Sequence, residues 1–336
     1  MNWKNMCASL IGVSMLAIAA PAFADDDPGP AAYSQALKGK RVVLVPMAMG
    51  FDLAQGWAAY LKREVDAWGG TFETRDPNWS VEAGAQAITD VIAADPKPDV
   101  LVVHAPDLNS YVKLFKKAQE AGIYVVLIDN PANFAADAFI GSDWNRLGQL
   151  EAEAAVKACS AGPSKQIGLV QGDQVNASSL YQYAGIMKVL EKYPDFKVVA
   201  KPDSNWDATN ARNVTTTMLQ QNPDICSIID FWDGDASGTA AAIRDAGKEG
   251  KIALVTTGGG EKVDCDKLAS GEFTAVVSTE LHKQSGDMNA VIKFLLQSGQ
   301  PAGTSKTYLY TLEQAYTKAD VKADTCWDVK ALQAAK

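Results

Sequence analysis

The sequence predicts an α/β fold of two doubly wound parallel-sheet lobes. Short apolar strands alternate with amphipathic helical stretches, glycine or proline closes most of those stretches, and one order of signals occurs twice, about 125 residues apart. Strands without polar alternation belong to parallel sheets covered on both faces. A length of 336 residues exceeds one comfortable core and suits two lobes.

In the first copy, the run 42–45 reads as a strand and 53–68 as a helix stopped by Gly69 and Gly70. Val81, Ala85, Ile88, Val91 and Ile92 recur at helical spacing and run into Asp95-Pro96-Lys97-Pro98-Asp99. Proline ends that helix because its ring cannot continue the hydrogen-bond ladder, and a strand follows at 100–103. The next helix stops at Ala121-Gly122, before a strand at 124–128. The second copy repeats this order, with a strand at 167–170 and a helix from about 179 to 190. Val214, Met218 and Leu219 then lead into Asn222-Pro223-Asp224 and a strand at 225–229, and Ala246-Gly247 precedes a strand at 252–255.

The flanks carry other information. Lys4, an apolar centre at 10–20 too short to span a bilayer, and Ala22-Phe23-Ala24 have the form of a secretory signal peptide over residues 1–24. Residues 25–38, with Asp25-Asp26-Asp27, Pro28 and Pro30, are expected to be an unstructured leader. Cys7 leaves with the signal, so Cys159, Cys226, Cys265 and Cys326 remain; an even count in an exported chain implies disulfides, with connectivity open. No Cys/His spacing suggests zinc, and no metal is expected. With 31 basic and 40 acidic residues the net charge is −9, which excludes nucleic-acid binding through clustered cations.

Ligands of open parallel sheets sit where loops leave the carboxyl ends of strands. Those loops carry Met47, Met49, Phe51 and Asp52, then His104 and Asp107, then Asp129 and Asn130. In the second copy they carry Asp173, Asn176, Ser178, Ser179 and Gln182, then Trp206 and Asp207, Trp232, Asp233 and Asp235, and Gly258-Gly259-Gly260. Aromatic plates among carboxylates and amides suit polyhydroxylated ligands, whose C–H faces pack on rings while hydroxyls pair with planar groups. Trp57 and Trp68 fall at helical spacing among apolar neighbours and are expected in the core.

Further marks are Gly50-Phe51 after the opening strand, Leu127-Ile128-Asp129-Asn130, and Ile140-Gly141-Ser142-Asp143 before a long helix. Asp233 with Ala236 and Gly238, and Gly271-Glu272 before a strand at 273–277, complete the set. From Arg41 to about Leu312, the chain thereby resembles the periplasmic sugar-binding proteins of the ribose-binding type that serve ATP-driven importers. The resemblance implies a three-segment hinge near 140–143, 278–281 and 308–312, joining a lobe of 39–141 plus 280–309 to one of 142–279 plus 310–336. It also implies a periplasmic monomer that holds one solute between its lobes, partners an ABC permease in the inner membrane, uses no cofactor and performs no catalysis.

Carried over by position, the resemblance makes Phe51 and Asp52 first-loop contacts and Asp129 an acceptor for sugar hydroxyls. Trp206 would pack on the sugar ring, Asp233 would belong to an Asn-Asp pair whose asparagine is here Trp232, and Thr279 or Glu280 falls where glutamine is common. His104 and Asn176 complete the expected contacts. Asn130 and Gln182 stand where arginines are common, and Gly258 where an aspartate is usual. Loss of two fork-shaped donors changes which solute fits, so ribose itself is not expected.

A sugar or sugar alcohol is the main expectation. The alternative is an amine-bearing solute facing Trp206 and Trp232, neutralised by Asp52, Asp129 or Asp233. A chemoreceptor or kinase could read the same closure in place of a permease. The Gly-x-Ser-x-Gly elbow of a secreted hydrolase is missing, His104 and His282 lack a companion nucleophile motif, and the triple glycine lacks the lysine and hydroxyl of a P-loop.

Overall fold

In the computed structural model, residues 27–335 are described, and the expected signal peptide lies outside them. The first lobe begins with α1 (Gly29–Leu37), β1 (Arg41–Val45), α2 (Asp52–Ala67), β2 (Thr71–Thr74), α3 (Val81–Ala93), β3 (Val100–Val103), α4 (Val112–Glu120), β4 (Tyr124–Ile128) and β5 (Ala138–Ser142). The second continues with α5 (Trp144–Cys159), β6 (Gln166–Val170), α6 (Ala177–Leu190), β7 (Lys197–Ala200), α7 (Ala208–Gln221), β8 (Ile225–Asp230), α8 (Asp233–Asp245), β9 (Ala253–Gly258), α9 (Lys262–Ser270) and β10 (Ala275–Ser278). The chain ends with α10 (Leu281–Ser298), β11 (Thr307–Thr311), β12 (Gln314–Tyr316), a short 3₁₀ turn (Lys318–Asp320) and α11 (Val329–Ala334).

Two six-stranded sheets result, ordered β2-β1-β3-β4-β5-β11 and β7-β6-β8-β9-β10-β12. All pairings are parallel except β10 with β12. In each lobe the chain runs from the first strand to an edge and then returns to its other side, opening a crevice at the carboxyl ends of β1 and β3, and of β6 and β8.

Central strands are buried on both faces, which explains their continuous apolar spelling. Val42, Leu44, Val100 and Val102 pack with Trp57 and Leu61 of α2 and Ile292 and Leu295 of α10. Their neighbours Val43, Val45, Leu101 and Val103 pack on the opposite face with Ile88 and Phe115. The second lobe has the same two layers, around Ile167 and Ile186 on one side and Ile228 and Leu254 on the other. The edge strands β2 and β7 are short and partly exposed; β2 is largely polar and β7 has only Val198 to Ala200 as an apolar run, so both leave little signal in the sequence.

The chain passes from β5 of one sheet into α5 at Asp143, from β10 through Thr279-Glu280 into α10, and from β11 through Leu312-Glu313 into β12. Two terminal segments differ from expectation. The supposed leader is helical over α1, which packs on α10 and buries Leu37. Pro30 falls in its first turn, where a missing N–H costs nothing. The tail, expected wholly with the second lobe, divides. Cys326 is bonded to Cys265 of α9, but Trp327 enters the first-lobe core against Gly56 of α2 and Leu281 of α10, and α11 lies on α2. An apolar indole beside a helix groove outweighs chain order, giving a fourth crossing. The other disulfide joins Cys159 to Cys226.

Candidate functional site

The two crevices face each other around a small cavity of about 60 Å³. The first lobe contributes Met47, Phe51, Leu53, Trp79, His104, Asp129 and Asn130. From the second come Trp144, Asn176, Ser178, Trp206, Phe231, Trp232, Thr257, Gly258 and Gly259, with Thr279 at a crossing.

Four rings form its wall. Phe51 and Trp79 stack at 5.5 Å between centroids, and Trp232 meets them from the other lobe at 5.8 and 5.7 Å. Trp206 stands edge-on to Trp232 at 6.3 Å. The Asn176 amide also donates across the mouth to the Pro106 carbonyl at 2.8 Å. These contacts describe lobes drawn together.

Backbone constraint concentrates here. Trp79, Asp129 and Trp206 hold φ values of 68°, 66° and 58°, a region that costs a side-chain-bearing residue about 1–3 kcal/mol and persists where its surroundings enforce it. Trp206 lies over Gly172, where an added Cβ would fall 2.0 Å from the indole. Its Nε1 donates to Asp173 at 2.9 Å, so stacking and hydrogen bond both fix the plate.

Asp129 terminates β4 and is 5% exposed. It accepts from Gln284 Nε2 at 3.2 Å, and His104 Nε2 lies 3.4 Å from its other oxygen. Burial pushes its carboxyl up to about 7 and the His104 imidazole down to about 3. The histidine is therefore neutral, and among the described residues no lysine or arginine lines the cavity. Behind it, the Trp57 indole donates to Gln284 Oε1 at 2.9 Å and thereby orients the amide that holds Asp129.

Beneath Gly258 and Gly259 lie Asp233, Glu261 and Asp264, each offering an oxygen within 4.8 Å of the others, a spacing that could hold a metal ion. Burial raises Asp233 to about 6 and Glu261 to about 8, with the neighbouring Asp233 charge adding to the rise in Glu261, and holds Asp264 well above the usual range. A side chain at Gly258 would meet Asp264 at 2.4 Å, so the glycine leaves room for a carboxyl arriving from α9.

Of the residues expected from the sequence, Phe51, His104, Asp129, Asn130, Asn176, Trp206 and Trp232 line this cavity. Four others do not. Asp52 opens α2 outside the wall, where burial and the nearby Asp328 raise its carboxyl. Gln182 is fully buried behind Thr257, donating to Glu151 at 2.8 and 2.9 Å. Asp233 sits below Gly258 with the carboxyl cluster, and Glu280 turns to the hinge, accepting from Tyr316 at 2.7 Å and pairing with Lys283 at 2.9 Å. Side-chain direction decides each case, and chain position does not reveal it. Trp79 and Trp144 were missed. Trp79 lies beyond an edge strand without a strong signal, whereas Trp144, directly after the Ser142-Asp143 crossing, could have been suspected.

The chain matches the family described as periplasmic binding protein domain over residues 27–301. It belongs to that family. A curated relative, the D-ribose/D-allose-binding protein of Pseudomonas aeruginosa, is 25% identical over 68% of this chain and 73% of its own length. The D-allose-binding periplasmic protein of Escherichia coli is 29% identical over 48% of this chain and 54% of its own. A solved solute-binding protein of an ABC transporter from Burkholderia graminis, in complex with D-arabinose, superposes with a TM-score of 0.77 over 86% of this chain and 99% of that one; at 19% identity it shows the fold. The periplasmic binding protein described here is thus a two-lobed solute-binding protein, a family assignment that implies a periplasmic location.

Proposed function

We propose that this protein captures one small polyhydroxylated solute, a sugar or sugar alcohol, in the periplasm and delivers it to an ABC permease of the inner membrane. The carrying observation is a cavity walled by both lobes and lined by four aromatic rings together with a buried carboxyl. C–H faces pack on Phe51, Trp79, Trp206 and Trp232, and hydroxyls donate to Asp129 and Asn130. The curated names of the two relatives support the solute class. Contacts from both walls exist in the closed form alone, so the solute favours closure by that difference in affinity, without covalent chemistry.

A thermal-shift screen of pentoses, hexoses and their alditols against the purified mature chain tests this reading. A solute at about 100 times its Kd should stabilise the native state by about 2.7 kcal/mol, raising Tm by several degrees. Failure of every sugar and alditol, and of their amine-bearing analogues, to raise Tm would contradict the assignment.

A further inference from the structure

The cavity's hydrogen-bond inventory is one-sided around Asp129. Several of its side-chain donors are engaged within the protein, while a second N–H of Asn176 and the indole N–H groups of Trp79 and Trp232 have no partner among the described residues. Asn130 Nδ2 donates to Ala105 O at 3.0 Å, Asn176 Nδ2 to Pro106 O, Trp144 Nε1 to Asp129 O at 3.0 Å, and Trp206 Nε1 to Asp173. The Ser178 and Thr257 hydroxyls are spent on Asn176 and Glu151 at 2.5 and 2.7 Å. Because only the NH2 end of an amide can donate to a carbonyl, the carbonyls of Ala105 and Pro106 fix which end of each amide turns toward them.

Acceptors are left over. Asn130 Oδ1 and His104 Nδ1 are buried without a partner, and Asp129 has no cationic neighbour. The free buried hydroxyl of Thr279 can donate as well as accept. Phe51, Trp79, Trp206 and Trp232 line the same cavity: Phe51 and Trp79 stack on each other, Trp206 lies over Gly172, and Trp232 meets Phe51 and Trp206 at steep angles, so that ring π-density borders the site. Behind the Gly258-Gly259 wall are the carboxyls of Asp233, Glu261 and Asp264, with Lys267 near Asp233.

We propose that the solute held by this site carries a protonated amine in addition to its hydroxyls. This deepens the reading of a small polyhydroxylated solute and rests on it. Beside Asp129 the unpartnered groups are Asn130 Oδ1 and His104 Nδ1, so a hydroxyl placed there donates its one proton and leaves its lone pairs without a donor. An ammonium brings donors alone, matches Asn130 Oδ1 and the Asp129 carboxylate, and is attracted by aromatic faces. It also supplies the opposite charge that the protein does not place beside Asp129. The absence of an arginine fork and the presence of the aromatic wall then have one cause.

Matched pairs differing by one amine test the proposal by titration calorimetry: glycerol against 2-amino-1,3-propanediol, sorbitol against 1-amino-1-deoxysorbitol, and glucose against glucosamine. The amine should bind at least tenfold more tightly in one or more pairs. Asp129→Asn should then weaken the amine at least tenfold more than its neutral partner, with circular dichroism confirming the fold. Trp232→Leu, which keeps apolar contact but removes the π-face, should act in the same direction. Neutral partners binding as tightly as their amines in every pair, or a preference untouched by both variants, would overturn the inference while leaving the sugar assignment standing. If neither these compounds nor the sugars and alditols of the thermal screen bind, both fall.

Discussion

Asp129 combines three costs: a left-handed backbone conformation, nearly complete burial, and a carboxyl without a cationic partner. Folding alone gives no reason to retain that combination, whereas solute binding does. Asp129→Ala should weaken solute binding about 100-fold, corresponding to the loss of a hydrogen-bonded charged group worth about 3 kcal/mol, while the unfolding midpoint stays within a few degrees. Calorimetric titration beside a thermal melt checks both, and unchanged affinity would remove Asp129 from the site. Burial likewise raises Asp129 to about 7, Glu151 to about 8 and Asp235 to about 7. Unfolded, these groups release protons near pH 4; folded, they hold them until about pH 7–8, so stability falls as pH rises across that interval. The solute-free protein should therefore melt several degrees higher at pH 6 than at pH 8.5 at constant ionic strength, and a flat or rising profile would contradict it. The sequence reveals residue chemistry at strand ends, as Asp129 and Trp232 illustrate, but not rotation about a helix or hinge. That rotation carries Gln182 to Glu151 and Glu280 to Tyr316, away from the cavity.

The tail is the least anticipated element. Trp327 hydrogen-bonds to the Gly259 carbonyl at 2.9 Å and inserts between α2 and α10, while the adjacent Cys326 is tied to α9. It therefore touches both lobes one residue beyond the cavity wall. Trp327→Ala should cost about 3–5 kcal/mol of stability, read by denaturant unfolding, from the cavity left beside Gly56 and Leu281. A loss below about 1 kcal/mol would show that this packing contributes little. Gly172→Val should displace the Trp206 indole from its seat and weaken solute binding at least tenfold, with calorimetry as the readout; unchanged affinity would exclude Trp206 as a binding plate. Central strands were legible because burial on both faces demands unbroken apolar runs, as at Val100–Val103. Edge strands β2 and β7, and the helix α1, were not, because partial exposure removes the demand for a long apolar run, leaving a polar β2 and only Val198 to Ala200 in β7, and a single buried Leu37 leaves no periodic signal.

At the scale of the molecule, the internal repeat and the two-lobe architecture were the most visible features, since each lobe spells the same succession of strand and helix. The cavity was legible through its strand-end residues and invisible in its dimensions, which depend on how closely Phe51, Trp79 and Trp232 approach across the gap. The function follows from that approach: rings from both lobes and acceptors of the first converge on one cavity between them. Solute should therefore bind with a stoichiometry of one per chain and draw the lobes together. The most direct measurement is small-angle X-ray scattering of the purified chain with and without a saturating hit from the thermal screen. A decrease in radius of gyration on addition of solute is the predicted result. An unchanged radius despite saturating, one-to-one binding would contradict closure of the two lobes around the solute.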